Sequence, residues 1–252
     1  MKMTAKNESV IALSGLGAGL LLCLLAIFGL ILTGCSRENV FGSGRMITEE
    51  RAVSPFNEVT IDGSMDIVIE QGPNVPLIVE AEDNVMRYVE TYVSGTTLRI
   101  KMRNGLNLRK HKQIRVQIQS EDYRRVVFSG SGSITAPDTI RTTQFTAELN
   151  GSGDGQLKVD ANEVRFYLNG SGNIRATGKA RDYFADISGS GNIQAQEVKS
   201  VNADVRISGS GNQSISVTDN LKAKIAGSGN IRYWGNPAVN VNITGSGKVI
   251  KQ

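Results

Sequence analysis

The residues on which most metal and nucleophilic chemistry depends are nearly missing from this sequence. Its 252 residues include two cysteines and one histidine, His111. Cys23 lies inside an apolar run and Cys35 closes it, so a chain that loses the run keeps one thiol and forms no internal disulfide. A single histidine leaves Cys/His zinc sites and Ser-His-Asp or Cys-His catalytic arrangements poorly supplied. Aromatic residues make up 6% and charged residues 21%, while glycine reaches 28, a balance that favours β-structure with many turns over helical bundles. Charge of one sign is also lacking. Basic residues number 28 against 24 acidic, or 26 against 23 without Lys2, Lys6 and Glu8, which gives no global nucleic-acid footprint.

What is present begins with Lys2 and Lys6, followed by Val10 to Leu32 without a charge, the layout of an export signal. The 23 residues would reach roughly 34 Å as a helix, long enough for a retained transmembrane anchor. The run ends, however, in Leu32-Thr33-Gly34-Cys35, which resembles the lipobox of bacterial lipoproteins. That resemblance implies removal of residues 1–34 and lipidation of Cys35, whose several acyl chains would anchor the protein stably where one chain is marginal. Ser36 rather than Asp at the next position implies, by the same resemblance, the outer membrane of a Gram-negative envelope. Residues 35–51, with Gly42-Ser43-Gly44, read as a flexible tether, and residues 52–252 as one domain.

The strongest pattern in that domain is repetition. Gly-Ser-Gly recurs with its glycines at Gly130 and Gly132, Gly151 and Gly153, Gly170 and Gly172, Gly189 and Gly191, Gly209 and Gly211, Gly227 and Gly229, and Gly245 and Gly247. The intervals are 18 to 21 residues. Two positions before each first glycine stand Phe128, Leu149, Leu168, Ile187, Ile207, Ile225 and Ile243; four before stand Val126, Ala147, Phe166, Ala185, Val205, Ala223 and Val241. The intervening position is mostly polar, as in Glu148, Asp186, Arg206 and Lys224, so alternation with period two runs into every Gly-Ser-Gly. Each copy therefore predicts a strand, a tight turn and a second short strand. A unit this small cannot bury its apolar face alone, and stacking unit on unit solves the problem. The expected fold is all-β, a right-handed parallel β-helix or β-solenoid of about seven coils over residues 126–252, behind a strand-rich part at 52–125. Antiparallel meanders forming a β-sandwich would satisfy the same turn spacing.

The non-repeating part holds strand-like runs from Phe56, from Met65, from Pro76 and from Thr97, with one helical turn at Asp83 to Tyr88. An opening strand with Phe56, then Gly-Ser-Met-Asp-Ile at 63–67, Gln71-Gly72 and Val79-Glu80-Ala81, followed by Gly-Ser-Gly-Asn-Ile repeats, resembles the head GIN domain family of "putative autotransporter adhesins". The resemblance spans roughly residues 52–250. It implies a β-helix-like array and an adhesin-like role, and brings no catalytic residues.

Gly-Ser-Gly-Asn invites comparison with calcium-binding β-rolls, but a hard cation needs carboxylates at the turn, and only Asp154 supplies one. No metal or other cofactor is expected. Polysaccharide-acting enzymes on β-helices need clustered acids and bases on neighbouring coils. Asp186 beside Arg206 and Asp204 beside Lys222 meet the description superficially, yet a solvated ladder of opposite charges has the same composition. The one basic concentration is Arg99, Lys101, Arg103, Arg109, Lys110, Lys112 and Arg115, without an acid among them. A hairpin around Asn104-Gly105 with solvated faces would account for it structurally; functionally, it is the expected contact with an anionic glycan or lipid surface. The sequence thus reads as a non-enzymatic envelope binding module, with a self-assembling structural lipoprotein as the alternative.

Overall fold

The structure is a computed structural model that describes residues 38–252; the leader and the expected lipidation site Cys35 lie outside the described residues. The chain divides into units 1–38 and 39–252. In chain order the elements are β1 (Glu38–Phe41), β2 (Met46–Arg51), β3 (Glu58–Asp62), β4 (Met65–Gln71), β5 (Leu77–Glu82), α1 (Asp83–Met86), β6 (Val89–Ser94), β7 (Thr97–Met102), β8 (Leu106–Arg109) and β9 (Ile114–Ser120). The repeats supply β10 (Arg125–Gly130), β11 (Ser133–Gly151), β12 (Asp154–Gly170), β13 (Asn173–Gly189), β14 (Asn192–Gly209), β15 (Asn212–Gly227), β16 (Asn230–Trp234), β17 (Ala238–Gly245) and β18 (Lys248–Lys251).

The repeats form a β-solenoid of about seven turns. Every repeat strand pairs in parallel with the next, and the register joins Phe128, Leu149, Leu168, Ile187, Ile207, Ile225 and Ile243 into one column. Antiparallel meanders are therefore excluded for this part. One expectation changes: instead of two short strands per copy, β11 to β15 run continuously for 16 to 19 residues from corner to corner. They still bend. In β14 the buried positions step from Ala195 to Val198 and from Ser200 to Ala203, and each odd step switches the inward face. With the Gly-Ser-Gly corner, these two slips give the coil three short sides.

Stacking requires glycine at the corner. Gly170 has φ +142, and a Cβ there would lie 2.1 Å from the carbonyl oxygen of Gly151; a Cβ on Gly172 would lie 1.9 Å from that of Gly153. The Gly151 oxygen accepts N–H bonds from both Ser171, at 3.0 Å, and Gly172, at 3.3 Å. Beside each corner runs an amide ladder, Asn173 to Asp154, Asn192 to Asn173, Asn212 to Asn192 and Asn230 to Asn212, with side-chain bonds of 2.9 to 3.1 Å.

Inside, large and small residues alternate on neighbouring columns: Phe145 beside Ala147, Val164 beside Phe166, Tyr183 beside Ala185, all buried. Burying one Ile or Leu is worth ~1.5–3 kcal/mol, whereas ordering each residue costs ~1–2 kcal/mol. A coil with a handful of inward residues gains its stability only with a coil on either side.

The N-terminal part closes one end of the stack, and its order in space differs from its order in the chain. β3 pairs in parallel with β10 and with β7 on its other side; β4 pairs with β11 and β9. Gly63-Ser64-Met65 is thus a further corner, with the Ser64 hydroxyl 2.8 Å from that of Ser131. Antiparallel strands finish the end, β6 on β7, β5 on β9 and β2 on β5. At the opposite end β17 leaves Val239, Val241 and Ile243, which continue the inward columns, 39%, 45% and 39% exposed.

The stretch 35–51 is not a free tether where it is described. β1 pairs with β8 and β2 with β5. The reason is Glu82, 1% exposed, whose carboxylate accepts the N–H groups of Gly44 at 2.6 Å and Lys112 at 3.1 Å and so ties two loops together. Nor is there a hairpin around Asn104-Gly105: β7 pairs with β3 and β6, while β8 pairs with β1. The hairpin in this region turns instead at Gly95, with Ser94 opposite Thr97.

Candidate functional site

The seven cations of the basic stretch are divided among β7, the following loops, β8 and β9. Arg99 and Lys101 face outward from β7, and Lys101 pairs with Glu90 at 3.2 Å, which raises its pKa through that hydrogen bond and the charge of Glu90. Arg103 lies 4.6 Å from the centre of the Tyr88 ring. Arg115, on β9, pairs with Glu80 at 3.6 Å. Arg109, Lys110 and Lys112 are the three that come together, beside the point where the chain enters the fold. The Arg109 side chain donates to Asn39 Oδ1 at 3.2 Å, and Lys112 Nζ donates to the Gly44 carbonyl at 2.7 Å. Lys110 between them takes φ 48, the left-handed conformation.

Of a second constellation, sequence reasoning named the charged members Asp186, Arg206, Asp204 and Lys222 and read them as a solvated ladder, but missed its aromatic members. It lies on the outward side of the strands that run into the Gly-Ser-Gly corners. Register places Arg165, Phe184, Asp204 and Lys222 in one column and Tyr167, Asp186 and Arg206 in the next. Most outward positions here are polar, whereas Tyr167 and Phe184 put two half-buried rings there, their centres 5.4 Å apart. Arg206 sits 5.1 Å and Arg165 5.6 Å from the Phe184 centre. The opposite-charge ladder takes a different form from the expected one, because each arginine prefers a carboxylate on its own strand. Arg206 holds Asp204 through two bonds of 3.2 and 3.1 Å, and Arg165 holds Glu163. Hydrogen bonding from Arg165 lowers the Glu163 pKa; burial, with the Asp204 charge adding and Arg206 opposing, raises that of Asp186. The sequence signal for this site was an aromatic residue in each of two mostly polar columns, on consecutive coils.

The groove over these residues has a volume of about 680 Å³ and is bordered by the amides of Asn202 and Asn220, themselves laddered at 2.9 Å. Among the described residues no three His, Cys, Asp or Glu side chains converge as a metal site, and the acids at the corners sit singly within the amide ladder. No helix among the described residues is long and apolar enough to cross a membrane.

No curated protein matches the chain. Solved structures with the same architecture include a Parabacteroides distasonis protein described as a putative lipid binding protein, 27% identical over 85% of this chain and all of its own, with a TM-score of 0.73. A putative adhesin from Parabacteroides merdae is 27% identical over 85% of this chain and 99% of its own, with a TM-score of 0.68. One from Bacteroides fragilis is 19% identical and has a TM-score of 0.79 over 84% of this chain and all of its own, a likeness of fold. The family model described as "Putative auto-transporter adhesin, head GIN domain" matches residues 55–237, the part that contains both the paired end and most of the Gly-Ser-Gly coils. The chain belongs to the head GIN domain family.

Proposed function

We propose that this protein is a non-enzymatic, adhesin-like binding module of the cell envelope, held in the outer membrane of a Gram-negative bacterium by acyl chains on Cys35. Its basic stretch meets an anionic surface, a lipid headgroup layer or an acidic glycan. The observation that carries the reading is the folding of Arg109 against Asn39 and of Lys112 against Gly44, with the exposed Lys110 between them, only a few residues beyond the expected anchor. Cations at that position lie where an anchored domain faces its membrane, and each Lys or Arg near an anionic surface is worth about 1 kcal/mol. The lipid-binding description of the Parabacteroides distasonis relative is compatible with this reading.

Co-sedimentation of the full-length acylated protein with vesicles of neutral or partly anionic lipid, and pull-down on an acidic polysaccharide, test the proposal. Replacing Arg109, Lys110 and Lys112 by Gln is expected to weaken anionic binding at least several-fold, with the salt dependence reduced and the melting midpoint kept, since exposed charges contribute little to folding. Cys35→Ala is expected to release the protein from membranes. Binding that ignores both salt and the triple substitution would sink the surface assignment. A second reading, a structural rod that associates with itself, is favoured by the exposed apolar edge of β17. It requires concentration-dependent oligomers in analytical ultracentrifugation.

A further inference from the structure

We propose that the outward groove over Phe184 is a binding site for an uncharged glycan, an inference that rests on the binding-module reading and names a surface and a ligand class for it. The rings of Tyr167 and Phe184 are the first reason. An outward-facing position gains only a modest cross-strand contact from an aromatic ring, and Thr146, in the same column as Phe184, and Asn242, in the same column as Tyr167, show that polar residues serve there. Two neighbouring rings half open to water form an apolar platform on an otherwise polar wall, and concave surfaces that combine apolar rings with a few placed polar groups are the usual form of a ligand site.

Charge balance chooses the ligand. The groove is lined by three cations, Arg165, Arg206 and Lys222, and three carboxylates, Glu163, Asp182 and Asp204. An acidic polymer would meet three carboxylates, and a cationic one three cations, so strong charge of either sign is disfavoured. A sugar has the matching chemistry: each hydroxyl both donates and accepts, finding acceptors in the carboxylates and donors in the arginines and in the amides of Asn202 and Asn220. Its C–H face packs on the Tyr167 ring, since Arg165 and Arg206 already lie over that of Phe184, without loss of hydrogen bonds.

Preorganisation is the third reason. Arg206 is fixed by a two-bond contact to Asp204, Arg165 by Glu163, and Asn202 donates to Asp182 at 2.8 Å. These groups sit on strands of a rigid stack rather than on loops, so little side-chain freedom is lost when a ligand arrives. The volume of about 680 Å³ falls within the ~300–1,000 Å³ typical of small-ligand sites. It suits a few linked sugars laid across successive coils.

The test immobilises neutral oligosaccharides of glucose, galactose, mannose and N-acetylglucosamine, with a sulfated oligosaccharide as the charged control, and applies the full-length protein in zwitterionic detergent. At least one neutral oligosaccharide should bind, with little response to added salt. Phe184→Thr and Tyr167→Asn take residues already used in their own columns and so keep the strand. Each is expected to weaken binding about tenfold or more at an unchanged melting midpoint. Arg109, Lys110 and Lys112 replaced by Gln should leave neutral-glycan binding intact, and Phe184→Thr should leave vesicle binding intact, so failure of one surface is distinguishable from failure of the other. The proposal is overturned if no neutral oligosaccharide binds at millimolar concentration. It is equally overturned if only the sulfated one binds and salt removes it, or if both folded variants bind as the parent does.

Discussion

At the scale of single residues, the interior of the coils holds a glutamine that is satisfied on one side only, its Oε1 having no partner. Gln213 occupies a column otherwise filled largely by isoleucine, fully buried, and its Nε2 donates to the Tyr183 hydroxyl at 2.8 Å across 30 residues of chain and to the Ser214 carbonyl at 3.1 Å. Burial raises the Tyr183 pKa, so the hydroxyl stays protonated. Tyr183→Phe removes one of the two acceptors of Gln213 Nε2 and is expected to cost about 1 kcal/mol in denaturant unfolding, whereas adding Gln213→Ile should restore most of that loss. Two additive losses would mean that the pair is not coupled. Asp186 behaves differently. Its folded-state pKa is raised above the ordinary carboxylate value, so the native protein binds a proton more readily than the unfolded chain and stability falls as pH rises through that window. Asp186→Asn is therefore expected to raise the melting midpoint at neutral pH and to leave it nearly unchanged in acid. A lower midpoint at neutral pH would show that the Arg206 attraction outweighs burial.

At the scale of elements, β1 and β2 are held less by their own composition than by one carboxylate. Glycine at 42 leaves room for this carboxylate, because a Cβ there would lie 2.0 Å from Glu82 Oε2 and push it aside. Glu82→Ala removes the acceptor for two N–H groups, and Gly42→Ala displaces it sterically. Both are expected to raise hydrogen exchange and protease cleavage across residues 38–51 while the coils from β12 onward stay protected. Unchanged protection at Gly44 in both variants would count against the arrangement. The same contact explains why these strands were illegible in the sequence. Gly-Ser-Gly at 42–44 has the composition of a flexible linker, and the partner that orders it lies about 40 residues away. Pairing of β8 with β1 was hidden for a similar reason: Asn104-Gly105 is a turn signal, but its flanking strands find better partners elsewhere.

At the scale of the whole molecule, what could be read was whatever repeats. The columns ending in Phe128 and Val126 fixed the number of coils, their parallel stacking and the buried faces, because a period of 18 to 21 residues leaves little freedom once alternation is known. What repeats only in space could not be read. Gly63-Ser64-Met65 is a corner without its second glycine, and β3 and β4 enter the stack between strands that come later in the chain. The glycan surface was equally concealed, since Tyr167 and Phe184 fall in different columns and become neighbours only when coils are superposed.

That displacement of chain order has a mechanical consequence. Tension applied through the N-terminal end, as in any protein tied to a membrane there and gripped elsewhere, reaches β1 and β2 first, each paired along one side only. These can peel one bond at a time. The load then falls on β3, which is paired along its length with β10 on one side and β7 on the other, so pulling it lengthwise opposes both ladders at once. Resistance under force is governed by the unfolding rate, and simultaneous shear of two ladders presents a higher barrier than peeling. Stretching single molecules from the N-terminal end is expected to give a weak early event that frees residues 38–51, then a distinctly stronger one. The fold places its first through-paired strand at the site where an anchored molecule is pulled.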